Sequence, residues 1–293
     1  MRPELVQATE LLRSRDPQSI EQALHLLQDT VFSFSMKVCG HREDAEDTMQ
    51  DVLLKSLPYL AKLENPKALA VWLYKVTRNR CWMSRRRSKF APKQMLALDD
   101  LIPTSSELES LLTHPDKSPE HNAISQQESE KLQQAILLIP ANYRLILVLH
   151  DMEDLDTSEV AKVTGLREGT VRVRLHRARL FVRRELTHDG NSTGRKTTST
   201  KKATRPTKCR EMFASLSEYI DGRSDNLSCE HIQKHLQTCP PCMAFISDLE
   251  KAIDRCRTYR VPCKSETTDK IRKLLVKEYL RILESVPNRN HVN

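Results

Sequence analysis

Apolar residues along this chain recur mostly at spacings of three and four, the period of helices that bury one face. The pattern predicts an all-α fold in three blocks. The first occupies residues 1–90, with several helices from Ser19 to about Lys89, the second occupies 125–187, and the third spans 209–285. Between the first two, residues 91–124 are rich in proline and acid (Asp99, Asp100, Pro103, Glu107, Glu109, Pro115, Asp116, Pro119), the composition of a linker. Residues 188–208 consist almost wholly of Thr, Ser, Lys, Arg and Gly, which cannot bury a core and predict a flexible basic tether. Residues 286–293 form a polar tail, and the chain shows no internal repeat.

Each block contains a helix with two unlike faces. In the first, Met49, Val52, Leu53, Leu57 and Leu60 share a stripe, whereas Asp44, Asp47, Gln50 and Asp51 point elsewhere. That polar face is either solvated surface or a docking face. Downstream, Trp72, Leu73, Val76 and Trp82 alternate with Lys75, Arg78, Arg80 and Arg85–Arg87. Aromatics interleaved with cations suit single-stranded or melting DNA, because guanidinium groups pair with phosphates and rings hold unstacked bases. The competing expectation, a core position, is the stronger one for Trp72.

In the second block an apolar run from Leu132 to His150 is interrupted at Pro140. Asp156 or Thr157 can then cap a short helix, with Glu159 placed to reach back to the cap. Gly165 permits a turn with positive φ, and a second helix starts at about Glu168, so the unit is a helix–turn–helix. Val171, Leu175, Ala178 and Val182 form its buried side. The exposed side is then Arg172, Val173, His176, Arg177, Arg179, Leu180, Arg183 and Arg184, a basic face suited to the major groove. Val173 cannot donate a hydrogen bond, so an apolar contact with a thymine methyl or a base-edge CH is expected there.

The third block changes the picture through its cysteines. Six of the eight lie between Cys209 and Cys263. Cys209 shares an amphipathic helix face with Phe213, Leu216 and Ile220, and Gly222 stops that helix. His235 and Cys239 stand one helical turn apart, and Cys239-Pro-Pro-Cys242 closes a tight loop. Cys209, His235, Cys239 and Cys242 together have the composition of a structural Zn²⁺ site. Cys229 and His231 lie near enough in sequence to replace a ligand. A dithiol redox motif and unrelated buried cysteines are the rival readings, with Cys256 and Cys263 available as resolving thiols if the ligands oxidise.

The formal charge of +8 fits an anionic partner, although 29% charged residues of both signs is also an ordinary surface. No apolar run approaches the ~20 residues that span a bilayer. Met1 to Pro17 lacks the layout of a secretion signal, and the expected compartment is the cytoplasm. No nucleotide-binding glycine loop or metal-spaced carboxylate cluster is visible, so the chain is not expected to be an enzyme.

The segment DAEDTMQDVLLK followed by AVWLYKVTRNRCWMSRRR resembles region two of the extracytoplasmic-function sigma factors, and LDTSEVAKVTGLREGTVRVRLHRAR resembles region four. The resemblance implies docking on core RNA polymerase through Asp44, Asp47, Gln50, Asp51 and Leu54. It implies minus-ten promoter DNA at Asn79, Arg80, Ser84, Arg85 and Arg86, and minus-thirty-five DNA at Thr170, Arg172, Val173, His176, Arg177 and Arg179. Leu53 stands where the family commonly has phenylalanine, and Val173 where it often has a small polar residue. The cysteine spacing resembles the zinc-binding anti-sigma domain, usually a separate protein that wraps its sigma factor. Covalent attachment through the tether predicts control in cis, with the zinc module and the helix Lys270 to Leu283 packing on the sigma domains. By itself that last helix is expected to be one more packed helix of the zinc domain. The alternative reading is a stand-alone helix–turn–helix regulator with a structural zinc domain.

Overall fold

The computed structural model describes residues 2–14, 16–60, 65–83, 94–96, 101, 126–187, 207–223, 226–261, 263 and 266–285. Among these residues every regular element is helical, as the periodicity requires. The helices are α1 (Pro3–Arg13), α2 (Pro17–Cys39), α3 (Arg42–Leu60), α4 (Pro66–Met83), α5 (Gln126–Leu138), α6 (Ala141–Leu147), α7 (Thr157–Thr164), α8 (Glu168–Thr187), α9 (Thr207–Ile220), α10 (Asn226–Thr238), α11 (Pro240–Thr258) and α12 (Glu266–Ser285), with a π-helical turn at Val148–Met152. The expected linker, tether and tail fall almost wholly outside the described residues.

Packing divides the chain into two units that cut across the sequence blocks. One comprises Met1–Lys89, Val148–Leu166 and Arg260–Asn293, and the other Phe90–Leu147 and Arg167–Tyr259.

In the first unit α1 to α4 pack as a bundle. Helix α2 starts where Asp16 accepts a bond of 3.0 Å from the Ser19 amide, and ends at Gly40, whose φ of +82° is open to glycine without a Cβ clash. Leu24, Leu27, Met49, Leu53, Leu57, Leu69 and Leu73 are buried, and Phe34 packs on Tyr74 with ring centroids 4.9 Å apart. Truncating one such leucine to alanine costs about 2–5 kcal/mol through lost transfer energy and the cavity left behind. Helix α1, which precedes the first helix expected from sequence, packs on α2 and α4 with Leu5, Ala8 and Leu12 inward. The π-turn packs on α2 and α7 packs on α4. One further expectation is corrected here. Helix α12, expected by itself to be a helix of the cysteine-rich module and under control in cis to pack on the sigma domains, belongs to the first unit and lies on α2 and α3, with Ile271, Leu275 and Tyr279 buried.

In the second unit α8 is the common element, packed by α5, α6, α9 and α11. Helix α10 packs on α9 and α11, and Phe213 meets Phe245 edge to face at 4.9 Å. Gly222 ends the α9 segment with φ +64°.

Candidate functional site

On α3 the stripe Met49, Val52, Leu53, Leu57 and Leu60 is buried as the pattern predicts. Among the residues of its polar face, Asp47 is exposed and Asp44, Gln50, Asp51 and Leu54 are half-buried. Asp51 bonds Arg80 of α4 at 2.8 Å, so the acidic helix and the basic helix share an ion pair at a partly solvated edge. Asn79 is exposed beside it. Trp72, expected in the core, is instead half-exposed against the ring of Tyr59 at 5.4 Å, and Tyr59 itself is 53% exposed. Ser84, Arg85 and Arg86 lie outside the described residues.

The cap of α7 forms as its sequence dictates. Asp156 accepts from the Glu159 amide at 2.9 Å, and the Glu159 carboxylate accepts from the Asp156 amide at 2.9 Å. Gly165 follows with φ +72°. Helix α8 then buries Val171, Leu175, Ala178 and Val182. Its other face divides. Thr170, Arg172 and Val173 are exposed and Arg177 half-buried, with Val173 at 55% exposure. His176, Arg179, Leu180 and Arg183, expected on the exposed side, are buried.

The cause of that correction is a second set of partners, polar ones. Arg179 forks onto the Asp221 carboxylate at 2.8 and 3.1 Å, the bidentate geometry it would also use on a phosphate. His176 Nδ1 bonds the Ser217 hydroxyl at 2.9 Å. The Arg183 guanidinium sits 4.0 Å from the Phe245 ring centroid and 3.5 Å from Asp248, and Arg172 lies 3.8 Å from Glu218. Burial, and then the charges of Arg179 and Arg177, hold His176 down to about 4, so its imidazole is neutral at pH 7. Sequence reasoning missed Ser217, Asp221 and Phe245 as partners of α8. Asp221 read only as the end of a helix, and nothing local marks it as a counter-ion.

The four proposed ligands converge. Their donor atoms lie within 4.8 Å of one another, with Cys209 Sγ 3.6 Å from His235 Nε2, His235 Nε2 3.3 Å from Cys242 Sγ, and the two sulfurs 3.7 Å apart. The edges of a tetrahedron with Zn–S and Zn–N lengths of about 2.3 and 2.0 Å measure about 3.8 Å between sulfurs and 3.5 Å between sulfur and nitrogen. The three edges among Cys209, His235 and Cys242 match, and Cys239 Sγ lies within 4.8 Å of the other donors, so the donor set fits a zinc ion. Burial, and then crowding by Cys239 and Cys209, push the Cys242 thiol far above its ordinary value, a repulsion that a cation among the sulfurs would relieve. Cys229 and His231 are not part of this group. Cys263 belongs to the other packing unit, where burial and Asp29 push its thiol up to about 12. It is therefore a weak nucleophile.

Three family matches coincide with these elements: Sigma-70 region 2 over residues 24–90, Sigma-70 region 4 over residues 129–182, and a zinc-finger family over residues 209–243. The chain is 23% identical over 175 residues to the ECF RNA polymerase sigma factor SigW of Bacillus subtilis, covering 60% of this chain and 92% of that one. It is 25% identical over 178 residues to RNA polymerase sigma factor YlaC of the same organism, covering 60% and 95%. A Xanthomonas campestris protein named "Probable RNA polymerase sigma factor RfaY" is 30% identical over 161 residues, which cover 54% of this chain and 38% of that one. Among the described residues no helix is long and apolar enough to cross a membrane.

Proposed function

We propose that the chain, with regions 2 and 4 in order and a zinc-finger module behind them, is a sigma-70 family RNA polymerase sigma factor that directs core polymerase to specific promoters under the control of that module. The polymerase would be met by Asp44, Asp47, Gln50, Asp51 and Leu54 on α3. Asn79 and Arg80, with Ser84, Arg85 and Arg86 after them, would hold the minus-ten strand. Thr170, Arg172, Val173 and Arg177 would enter the major groove of the minus-thirty-five element. The chain supplies no chemistry of its own in this reading and works in the cytoplasm.

The observation that carries the control is the fork between Arg179 and Asp221. His176 and Arg179 belong to the set expected on DNA, yet both are engaged by the segment around α9. A carboxylate occupies the place where a phosphate would pair, so DNA and the module compete for one guanidinium. Cys209, His235, Cys239 and Cys242 would hold one zinc ion, which would supply a structural cross-link rather than chemistry. Those ligands sit on α9, on α10 and at the start of α11, so the link would brace the surface that presents Ser217, Asp221 and Phe245.

The test is transcription in vitro with core enzyme, using the full chain and its Asp221→Asn variant. The wild type should initiate at discrete start sites, and the variant should initiate at lower protein concentration, by roughly threefold to tenfold. Promoter binding that needs no core enzyme would favour the stand-alone regulator. Core-dependent initiation with no gain in Asp221→Asn would remove the control in cis and leave the sigma activity.

A further inference from the structure

We propose that Glu153 is the pin of a latch that docks Val148–Leu166 on the N-terminal bundle, and that this latch must open before the chain can occupy both promoter elements. The second half rests on the sigma-factor reading; the first half does not.

Glu153 follows the π-turn and is fully buried. Its Oε1 accepts from Lys37 Nζ at 2.8 Å, and its Oε2 accepts from the Tyr74 hydroxyl at 2.7 Å and lies 2.9 Å from Arg2 Nε. Arg2 also donates to the Met152 carbonyl through Nε and Nη2, at 2.9 and 2.6 Å. One carboxylate thereby joins the chain start, α2 and α4. Beyond it, Arg78 donates to the Val163 carbonyl at 2.9 Å, and Lys67 stands 3.8 Å from Glu159. Helix α7 thus lies on α4, the helix that carries Asn79 and Arg80.

The chemistry of the pin is that of a reversible contact. An ion cluster buried only for stability is matched or surpassed by apolar residues of the same volume, whereas removing a single member leaves an uncompensated charge. On release, Glu153, Lys37, Arg2 and Tyr74 all regain water. The cost of losing Glu153 would be severe for the docked state, because Arg2 and Lys37 would face each other without a counter-ion. Burial already disfavours the charged form of Lys37, and Glu153 opposes that.

The geometry also sets a distance conflict. Elements centred near minus ten and minus thirty-five are about 25 base pairs apart, or roughly 85 Å along B-form DNA at 3.4 Å per pair. Arg78 of α4 and Val163 of α7 are 2.9 Å apart. A chain with this contact intact can serve one element but not both.

Amide hydrogen exchange on the full, metal-loaded chain tests the docking. In Glu153→Gln the amides of Val160 to Thr164 should exchange at least about tenfold faster, while those of Ile20 to Val38 in α2 keep their rates. Lys67→Glu, at an exposed edge where folding is not at stake, should speed the same amides by roughly threefold. Unchanged α7 exchange in both variants, or equal acceleration in α2 and α7, would overturn the latch. With core enzyme and a promoter carrying both elements, Glu153→Gln should reach half-maximal initiation at a concentration at least about threefold lower. Faster exchange without that gain would sink the requirement for opening. If the wild-type chain fails to initiate at all, the sigma reading fails while the exchange result still decides the docking.

Discussion

Helices α3 and α8 have the same design in sequence, an apolar stripe behind a charged face, yet they meet different fates. Helix α3 receives a second cover that is mainly apolar: α12 lies over α2 and α3 with Ile271, Leu275 and Tyr279 buried and one long ion pair, Arg272 to Glu21 of α2 at 3.8 Å, while the acidic edge at Asp47 stays in solvent. Helix α8 receives a second cover that is polar, and half of its basic face disappears into bonds with Ser217, Asp221 and Asp248. An apolar cover stabilises through area, which is undirected and tolerant of substitution. A polar cover depends on individual atoms. Loss of one partner leaves a desolvated charge, so contacts of the second kind are the ones a ligand or a single substitution can switch.

The largest way to break the contrast is to remove the proposed zinc ion. Structural zinc contributes on the order of 10 kcal/mol to the folding of small modules. Cys242→Ser, or chelation, should therefore abolish metal binding by elemental analysis and release the amides of α9 to α11, while those of α2 and α3 keep their protection. Next comes Asp221→Ala, which strands the Arg179 guanidinium. Denaturant unfolding of the second unit should show a loss of about 3–5 kcal/mol. The double change Arg179→Met with Asp221→Ala should recover most of it, and an additive result would mean that the fork carries no coupling.

Acid sharpens the comparison further. His176 is held down to about 4 in the folded chain, against an ordinary value of about 6.5 once released. Between those values the released state binds more protons. The contribution of His176 to packing is complete above pH 6.5, declines as pH falls and is spent near pH 4, with a limit of about 3 kcal/mol. Zinc ligation weakens over the same range, so His176→Gln supplies the control: its unfolding free energy should fall less steeply between pH 6.5 and 5 than that of the wild type. The smallest effect belongs to the edge that α3 shares with α4. Arg80→Ala removes the ion pair with Asp51 at a partly solvated edge and should change stability by no more than about 1 kcal/mol, read from the unfolding midpoint.

These fates explain which parts of the molecule were legible in the chain. Period and caps are local signals, so α3, the Asp156 capping box, Gly165 and the buried stripe of α8 could all be read directly. The convergence of Cys209, His235, Cys239 and Cys242 was legible because a zinc site would demand particular atoms at helical and loop spacings. Helix α1 carried a signal, Leu5, Ala8 and Leu12 at spacings of three and four, that a reading starting at Ser19 passed over. The burial of His176, Arg179 and Arg183 had no local signature. It depends on residues some forty to sixty-five positions away, and an arginine paired with a distant aspartate has the same pattern as one in water. Trp72 erred in the opposite direction, since its size favours the core while its neighbour Tyr59 offers a ring at the surface.

The widened turn at Val148–Met152 has one more consequence. Its Glu153 amide reaches back five residues, to the Val148 carbonyl at 2.9 Å, so the backbone carries one residue more than an α-helical count allows. Deleting a single position there would restore ordinary winding and swing every later side chain by about 100°. The glutamate would then miss its lysine, arginine and tyrosine together. Chain length at this point, rather than any side chain, sets the phase of the residues downstream, and an indel here should be far more damaging than a substitution.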